Sequence, residues 1–363
     1  MSFADYYQNK KVLITGNTGF KGAWLTAWLL KMGAQVSGFS IDVPTDPSMF
    51  EACEFEKKIQ HKFGDINKLE EIKAFVAEIR PDIIFHMAAQ PLVRASYNDP
   101  SETIFTNAIG TVNILEAVRL LDLPASLIMI TSDKAYDNVE QVWGYKETDA
   151  IGGKDPYSAS KGMAELAIKT YFHSFFKTGP VKLAIGRAGN VIGGGDWAAD
   201  RIVPDAIRSW NQKQPLEVRS PDATRPWQHV LEPLSGYLNL GAALHEKKDM
   251  NGEAFNFGPL SEQEVSVAQL LTEMVGHWQG AEYKSVKSDN NKPEAGLLKL
   301  NCDKALNRLK WVPALSLEKN VELTMNWYVN YYQRKGDISE LTDSQIDIYE
   351  EAARKKNISW AIA

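Results

Sequence analysis

The stretch Lys11-Val-Leu-Ile-Thr-Gly-Asn-Thr-Gly-Phe-Lys-Gly22 decides the fold. Lys11 to Thr15 is a short apolar run, glycines follow at Gly16, Gly19 and Gly22, and Ala23 to Met32 has helical composition and apolar spacing. The implied order is strand, tight turn, helix. Gly16 permits the turn, Gly19 lets the backbone approach a pyrophosphate, and Gly22 lets the helix pack closely on the sheet. The anion would sit at the helix N-terminus, where unpaired N–H groups and the helix dipole favour negative charge.

Working outward, Gln35 to Ile41 reads as a second strand ending at Asp42, and Lys68 to Ile79 as a helix. Asp82 to Phe85 is a strand, Thr103 to Leu121 a longer helix, and Ser126 to Ile130 a strand. A helix is expected from Ser160 to about Lys177, then the strand Val181 to Gly186. This alternation predicts an α/β fold, a doubly wound parallel sheet of Rossmann type, over residues 1–188. Glu253 to Gly258 looks like a strand returning to that sheet, so 229–258 is counted with it. Residues 189–228 and 259–363 are expected to form a smaller, interleaved substrate-binding lobe, with Asp337 to Glu351 as a terminal helix.

Asp42 stands where a ribose-binding acid belongs. Its carboxylate would accept from the adenosine hydroxyls and repel a 2′-phosphate, which favours NAD over NADP. The plainer use for it is a turn before Pro44. Asp65, in Gly64-Asp65-Ile66, is placed to meet the adenine edge, or else to cap a helix. Ala88-Ala89-Gln90 follows the strand ending at His86, where small residues let the backbone pass under a cofactor; His86 itself reads as core.

With 44% hydrophobic and 24% charged residues, the chain has ordinary globular composition. A formal charge of −6 argues against a general nucleic-acid or anionic-membrane surface, so any groups that bind an anionic substrate must be local. Met1 to Lys11 has no signal-peptide core and no 18-residue apolar span stands out, so the expected compartment is the cytoplasm. Cys53 and Cys302 are expected to be free thiols, and no metal-ligand spacing is present among the six histidines.

The chemistry reads from Thr131-Ser132-Asp133-Lys134 and Tyr157-Ser158-Ala159-Ser160-Lys161. Tyr157 and Lys161 are one helical turn apart and face the same way. A neighbouring ammonium and a positive nicotinamide ring favour the phenolate, which can take a hydroxyl proton as hydride leaves carbon. Ser132, just after a strand, is placed to hydrogen-bond the same oxygen, since strand ends are where such sheets put their chemistry. Asp133 and Lys134 add an acid and a base that plain alcohol oxidation does not need. The excess points to oxidation coupled to elimination; the alternative is a solvated ion pair on a turn.

Together with His86-Met-Ala-Ala-Gln-Pro-Leu-Val93 and Arg187-Ala-Gly-Asn-Val-Ile-Gly-Gly-Gly-Asp-Trp197, these motifs resemble the extended short-chain dehydrogenase/reductases. Within them the likeness is to the nucleotide-sugar 4,6-dehydratase branch that acts on CDP-glucose. Arg225 to Leu234 and Leu298 to Leu300 extend it over nearly the whole chain. The dTDP-glucose enzymes carry Thr-Asp-Glu where this chain has Ser132-Asp133-Lys134, and arginines they use near the nucleotide are missing around Gly296 to Lys299. The chain departs from the CDP-type pattern at Ala135 and Ala159, where that branch usually has Cys and Asn.

The resemblance implies a tightly bound NAD held by the glycine loop with Thr18 and Phe20, by Asp42, Asp65, Ile66, Ala88, Ala89, Gln90 and Asn107, and by Tyr157 and Lys161. It implies a nucleotide-sugar substrate, CDP-glucose, held by Asn190, Arg201 and Arg225, with Arg94 and Lys299 as further candidates. Arginine suits a diphosphate because its planar fork gives parallel charge-assisted bonds. Lys134 would act as base at C5 and Asp133 as acid at the C6 hydroxyl, or the two in reversed roles. A place in deoxysugar biosynthesis for cell-surface polysaccharide follows, as does a homodimer, or a tetramer, paired through the helices beginning near Thr103 and Ser160. A 4-epimerase or simple dehydrogenase on the same fold would leave Asp133-Lys134 inert. A non-catalytic NAD sensor would have no use for Ser132, Tyr157 and Lys161.

Overall fold

Seven parallel strands form the central sheet of the computed structural model, which describes residues 3–246, 248–259, 265–286 and 297–362. They are β1 (Lys11–Thr15), β2 (Gln35–Ser40), β3 (Gln60–Phe63), β4 (Ile83–His86), β5 (Ser126–Ile130), β6 (Lys182–Ala188) and β7 (Ala254–Phe257). Their order is β7-β6-β5-β4-β1-β2-β3. The direction of winding reverses between β1 and β4, which opens a crevice at the carboxyl ends of these strands. Four of the five β1 residues and all of β4 and β7 are buried, as a parallel sheet covered on both faces requires. The predicted return of the chain at 253–258 is β7, paired with β6 through Ala254↔Ile185 to Phe257↔Ala188.

Alternate strand residues feed two apolar layers. Leu13, Ile84, Leu127 and Leu183 pack with α2 (Leu69–Ile79), α3 (Pro100–Leu121) and α4 (Pro156–Tyr171). Val12, Ile14 and Ile128 face α1 (Phe20–Lys31) and a later helix, Leu231–Glu246. Three helices begin earlier than the sequence reading placed them. α1 starts at Phe20, so Gly22 lies inside its first turn. α3 starts at Pro100 and α4 at Pro156 because Asp99 and Asp155 cap them, accepting from the N–H groups of Glu102 at 2.8 Å and Ser158 at 3.0 Å, with proline just inside. Strand β6 runs on to Ala188, which puts Arg187 within the sheet.

α3 corrects the expectation of no long apolar span. By length and composition Pro100–Leu121 is apolar enough to cross a membrane. Half of that window is buried against the rest of the fold.

Outside the central sheet lie α5 (Ile202–Asn211) and short strand pairs, including Val191–Ile192 with Gln228–His229 and Thr224–Arg225 with Val265–Ser266. Gly296, cited above for its missing arginine, lies outside the described residues. The terminal helix Ile338–Lys355 lies against α1 and against the helix Leu317–Gln333, where Gln345 Nε2 donates to the Leu323 carbonyl at 2.8 Å. Trp28 Nε1 donates to Glu350 Oε1 at 2.8 Å and Lys31 pairs with Asp347 at 3.0 Å. Buried Glu232 ties this end of the chain together, accepting from the Leu315 N–H at 2.7 Å and the Tyr349 hydroxyl at 2.8 Å. Cys53 and Cys302 are both free thiols.

Candidate active site

Each glycine of the first loop meets a different constraint. Gly16 has φ +78°, and a Cβ there would lie 2.7 Å from the Ala88 nitrogen. A Cβ on Gly22 would lie 2.1 Å from the Gly16 oxygen, so only glycine lets α1 start against this turn. At Gly19 the nearest atom is the Gly16 oxygen at 3.4 Å, which leaves the backbone open to a ligand. That combination of a closed turn and an open middle residue fits a pyrophosphate over the first turn of α1.

The walls of the cleft come from β2 and β4. Thr18 Oγ1 donates to the Asp42 carbonyl at 2.7 Å, and the Asp42 side chain is exposed at the end of β2. Asp65 accepts from the Asn67 N–H at 2.9 Å, so one carboxylate oxygen serves its own turn. Ile66 is buried under Gly110. Asn107 does not reach the cleft as a free side chain: it is buried, and it clamps Gln90 by accepting from its N–H at 2.8 Å and donating to its carbonyl at 3.1 Å. It also donates to Ser160 Oγ at 2.8 Å, which links the Ala88-Ala89-Gln90 loop to α4. His86 is core, as read, held between the hydroxyls of Thr15 and Thr111.

The reactive groups meet where β5 ends beside α4. A single 3₁₀ turn, Asp133–Ala135, follows Ser132. Ser132 Oγ donates to Asp133 Oδ1 at 2.8 Å and accepts from the Lys134 N–H at 3.2 Å, and it lies close enough to Tyr157 to act on its phenol. Ser132 thus stands between the Tyr157 phenol and the Asp133 carboxylate. A Cβ on Gly189 would lie 2.9 Å from Asp133 Oδ2, so the carboxylate is pressed against the backbone that leads to Asn190. Lys134 is half-buried on the same turn, and Lys161 Nζ lies 6.0 Å from the centre of the Tyr157 ring.

Beneath this turn lies a polar network that sequence reading missed. Glu165, one turn beyond Lys161, and Arg187 are both fully buried and joined by two parallel bonds, one of them Arg187 Nε to Glu165 Oε1 at 2.6 Å. Glu165 also accepts from Thr131 Oγ1 at 2.7 Å. Arg187 donates to the Tyr136 hydroxyl at 2.6 Å, and that hydroxyl donates to Asn256 Oδ1 at 2.8 Å. Asn256 in turn donates to the carbonyls of Tyr145 at 2.8 Å and Asn301 at 3.0 Å. The residues flanking the catalytic turn, Thr131 and Tyr136, are therefore pinned to α4, β6, β7 and the 297–301 segment at once.

Electrostatics correct one expectation. Burial, reinforced by Asp133, pushes the Tyr157 phenol up to about 12, against the lowering effect of Ser132 and Arg201. Burial raises the Asp133 carboxyl, opposed by Lys134, Ser132 and Lys21. Lys161 is lowered to about 8 by burial and by Lys21, with Glu165 acting the other way. Protonating Asp133 removes a charge that holds the Tyr157 proton in place, so the two groups are coupled.

Of the candidates for a nucleotide sugar, Arg201 comes nearest the reaction centre. It pairs with buried Asp196 at 2.8 Å and acts electrostatically on Tyr157. Arg225 donates to the Thr224 carbonyl at 2.7 Å, and Pro226 beside it faces Gly189. Asn190 is exposed next to Asp133's backbone wall. The Lys299 carbonyl accepts from the Tyr145 N–H at 2.8 Å, and Arg94 pairs with Asp200 at 2.6 Å on the outer rim.

A Rossmann cleft that opens onto Ser132, Tyr157 and Lys161 defines an extended short-chain dehydrogenase/reductase. The profile of the family described as GDP-mannose 4,6 dehydratase matches residues 13–324. A CDP-glucose 4,6-dehydratase of Salmonella typhimurium is 45% identical over 329 residues, covering 89% of this chain and 92% of that protein. A dTDP-glucose 4,6-dehydratase of Xanthomonas campestris is 24% identical over 87% of this chain and 92% of that one. Among solved structures, the dTDP-glucose 4,6-dehydratase of Streptomyces venezuelae with NAD bound has a TM-score of 0.76 at 19% identity, covering 90% of this chain and 99% of that one. The chain belongs to the GDP-mannose 4,6 dehydratase family, within the nucleotide-sugar dehydratase branch of these enzymes.

The buried pair should carry much of the site's order. Glu165→Gln strands the Arg187 charge and should lower stability by about 3–5 kcal/mol. Urea denaturation followed by tryptophan fluorescence measures this; an unchanged midpoint would show that the pair does not hold the site.

Proposed function

We propose that the protein is an NAD-dependent nucleotide-sugar 4,6-dehydratase that converts CDP-glucose to CDP-4-keto-6-deoxyglucose and water. The observation that carries the reading is the Asp133-Lys134 turn set beside Ser132, which donates to Asp133 at 2.8 Å and lies close to Tyr157. The 45% identity to the Salmonella CDP-glucose enzyme supports the choice of nucleotide.

Bound NAD supplies a hydride acceptor that gives back what it takes. Tyr157 removes the 4-hydroxyl proton, and Ser132 holds the same oxygen. A phenol raised to about 12 needs help to do so. A positive ring nearby and an Asp133 carboxylate able to take the phenol's own proton both provide it. The 4-ketone so formed acidifies the C5 proton, which Lys134 accepts as general base. Asp133, whose carboxyl burial raises, then protonates the departing C6 hydroxyl. The chain Tyr157–Ser132–Asp133 lets the proton lost from the 4-hydroxyl reappear in the water released. Hydride then returns to C6 and Lys134 returns the proton to C5.

We further infer a homodimer paired through α3 and α4. Its support is the apolar surface these helices leave open: Phe105 is 55% exposed and Leu166 57%. Leu166→Glu should convert a dimer to monomer in sedimentation velocity at micromolar concentration; a monomeric parent protein would refute the pairing.

Incubated with NAD and CDP-glucose, the protein should give a product lighter by about 18 Da, one water, without net NADH. Lys134→Ala should still bind NAD and lose at least about a hundredfold in turnover. A product of unchanged mass and altered stereochemistry would make the protein an epimerase, and full dehydration by Lys134→Ala would remove the lysine from the mechanism.

A further inference from the structure

Lys21 is a lysine in the glycine loop that neither the dinucleotide fingerprint nor the dehydration chemistry uses. It stands in the first turn of α1, where a cation opposes the helix dipole and acidic residues are the favoured choice. Local rules are broken in this way where function requires it.

Its surroundings are fixed by three elements. Trp24 Nε1 donates to the Gly194 carbonyl at 2.9 Å, and a Cβ on Gly193 would lie 3.1 Å from the Phe20 ring, so the start of α1 sits against the 193–197 loop. That loop presents Asp196, with Arg201 paired to it at 2.8 Å. Asp133, at the end of β5, and Lys161, on α4, lie near enough to act on Lys21 electrostatically. Yet the ammonium makes no hydrogen bond or ion pair among the described residues. Asp196 is already taken by Arg201 and by the Ala198 N–H at 3.0 Å, and Asp133 Oδ1 is taken by Ser132. Three cations, Lys21, Lys161 and Arg201, thus face two carboxylates that are already engaged, in a chain whose formal charge is −6. A local cationic surplus around an uncommitted ammonium is the arrangement expected where an anionic ligand completes the charge.

We propose that Lys21 is a diphosphate-binding residue of the active site, reaching from the glycine loop to a phosphate oxygen of a ligand that spans it. The proposal rests on the dehydratase reading, which supplies two diphosphates, those of NAD and of the sugar nucleotide. Burial, with Arg201 close by, lowers the Lys21 ammonium to about 8, against Asp133 and Asp196. The affinity it confers should therefore decline as pH rises past that value.

The test is isothermal titration of wild type, Lys21→Met and Lys21→Arg with NAD and, separately, with CDP. Lys21→Met should weaken one diphosphate by about tenfold or more while leaving the other within about twofold, and Lys21→Arg should restore most of the loss. A loss confined to NAD identifies the cofactor's pyrophosphate, and a loss confined to CDP identifies the substrate's. In wild type the affected affinity should fall above pH 8, and in Lys21→Met it should not. If Lys21→Met melts well below wild type, Lys21→Gln replaces it in the same comparison. Wild-type affinity for both ligands in the lysine-free variants overturns the proposal and leaves the dehydratase reading intact. A wild-type protein that binds neither ligand overturns both.

Discussion

Everything at the reaction centre rests on the buried bidentate pair between Glu165 and Arg187. Two charges withdrawn from water are tolerated only when each remaining donor and acceptor finds a partner. Here those partners are Thr131 and Tyr136, the residues on either side of Ser132-Asp133-Lys134. The short turn that carries the extra acid and base is thereby held at fixed distance from the helix that carries Tyr157 and Lys161. Through Asn256 the same network fastens β7 to the segment at 297–301.

On that frame, the chemistry depends on proton location more than on any single strong base. Burial pushes Tyr157 and Asp133 in the same direction, toward the protonated forms, and each carboxylate or phenolate charge discourages the other. In the proposed reaction, a hydroxyl oxidation that delivers its proton by way of Ser132 to Asp133 would turn this mutual discouragement into an ordered sequence, the acid receiving its proton from the step that creates the need for it.

Much of the molecule was legible in the sequence because local and global signals agree there. The strand, glycine turn and helix at Lys11 to Lys31, the return of the chain at β7, and the facing of Tyr157 and Lys161 all follow from short-range pattern. Helix starts at Pro100 and Pro156 were missed because apolar spacing was given more weight than the Asp-Pro caps that precede each helix. Glu165 and Arg187 were invisible for a deeper reason: a charged residue reads as surface until its partner, 22 positions away, is seen beside it. Asn107 carries no signal that separates a ligand contact from a clamp on Gln90. The rise of the Tyr157 phenol follows from burial, which spacing does not report. Lys21 did leave a trace, a cation at the wrong end of a helix.

The central claim is that one hydride leaves C4 and returns to C6 of the same sugar while water is lost between. The most direct measurement is incubation with CDP-glucose carrying deuterium at C4, with the position of the label read by NMR and mass spectrometry. The account predicts a 4-keto-6-deoxy product with deuterium on C6 and none released to a separate pool of NAD. Deuterium recovered in free NADH, or retained at C4 of a sugar of unchanged mass, would contradict it.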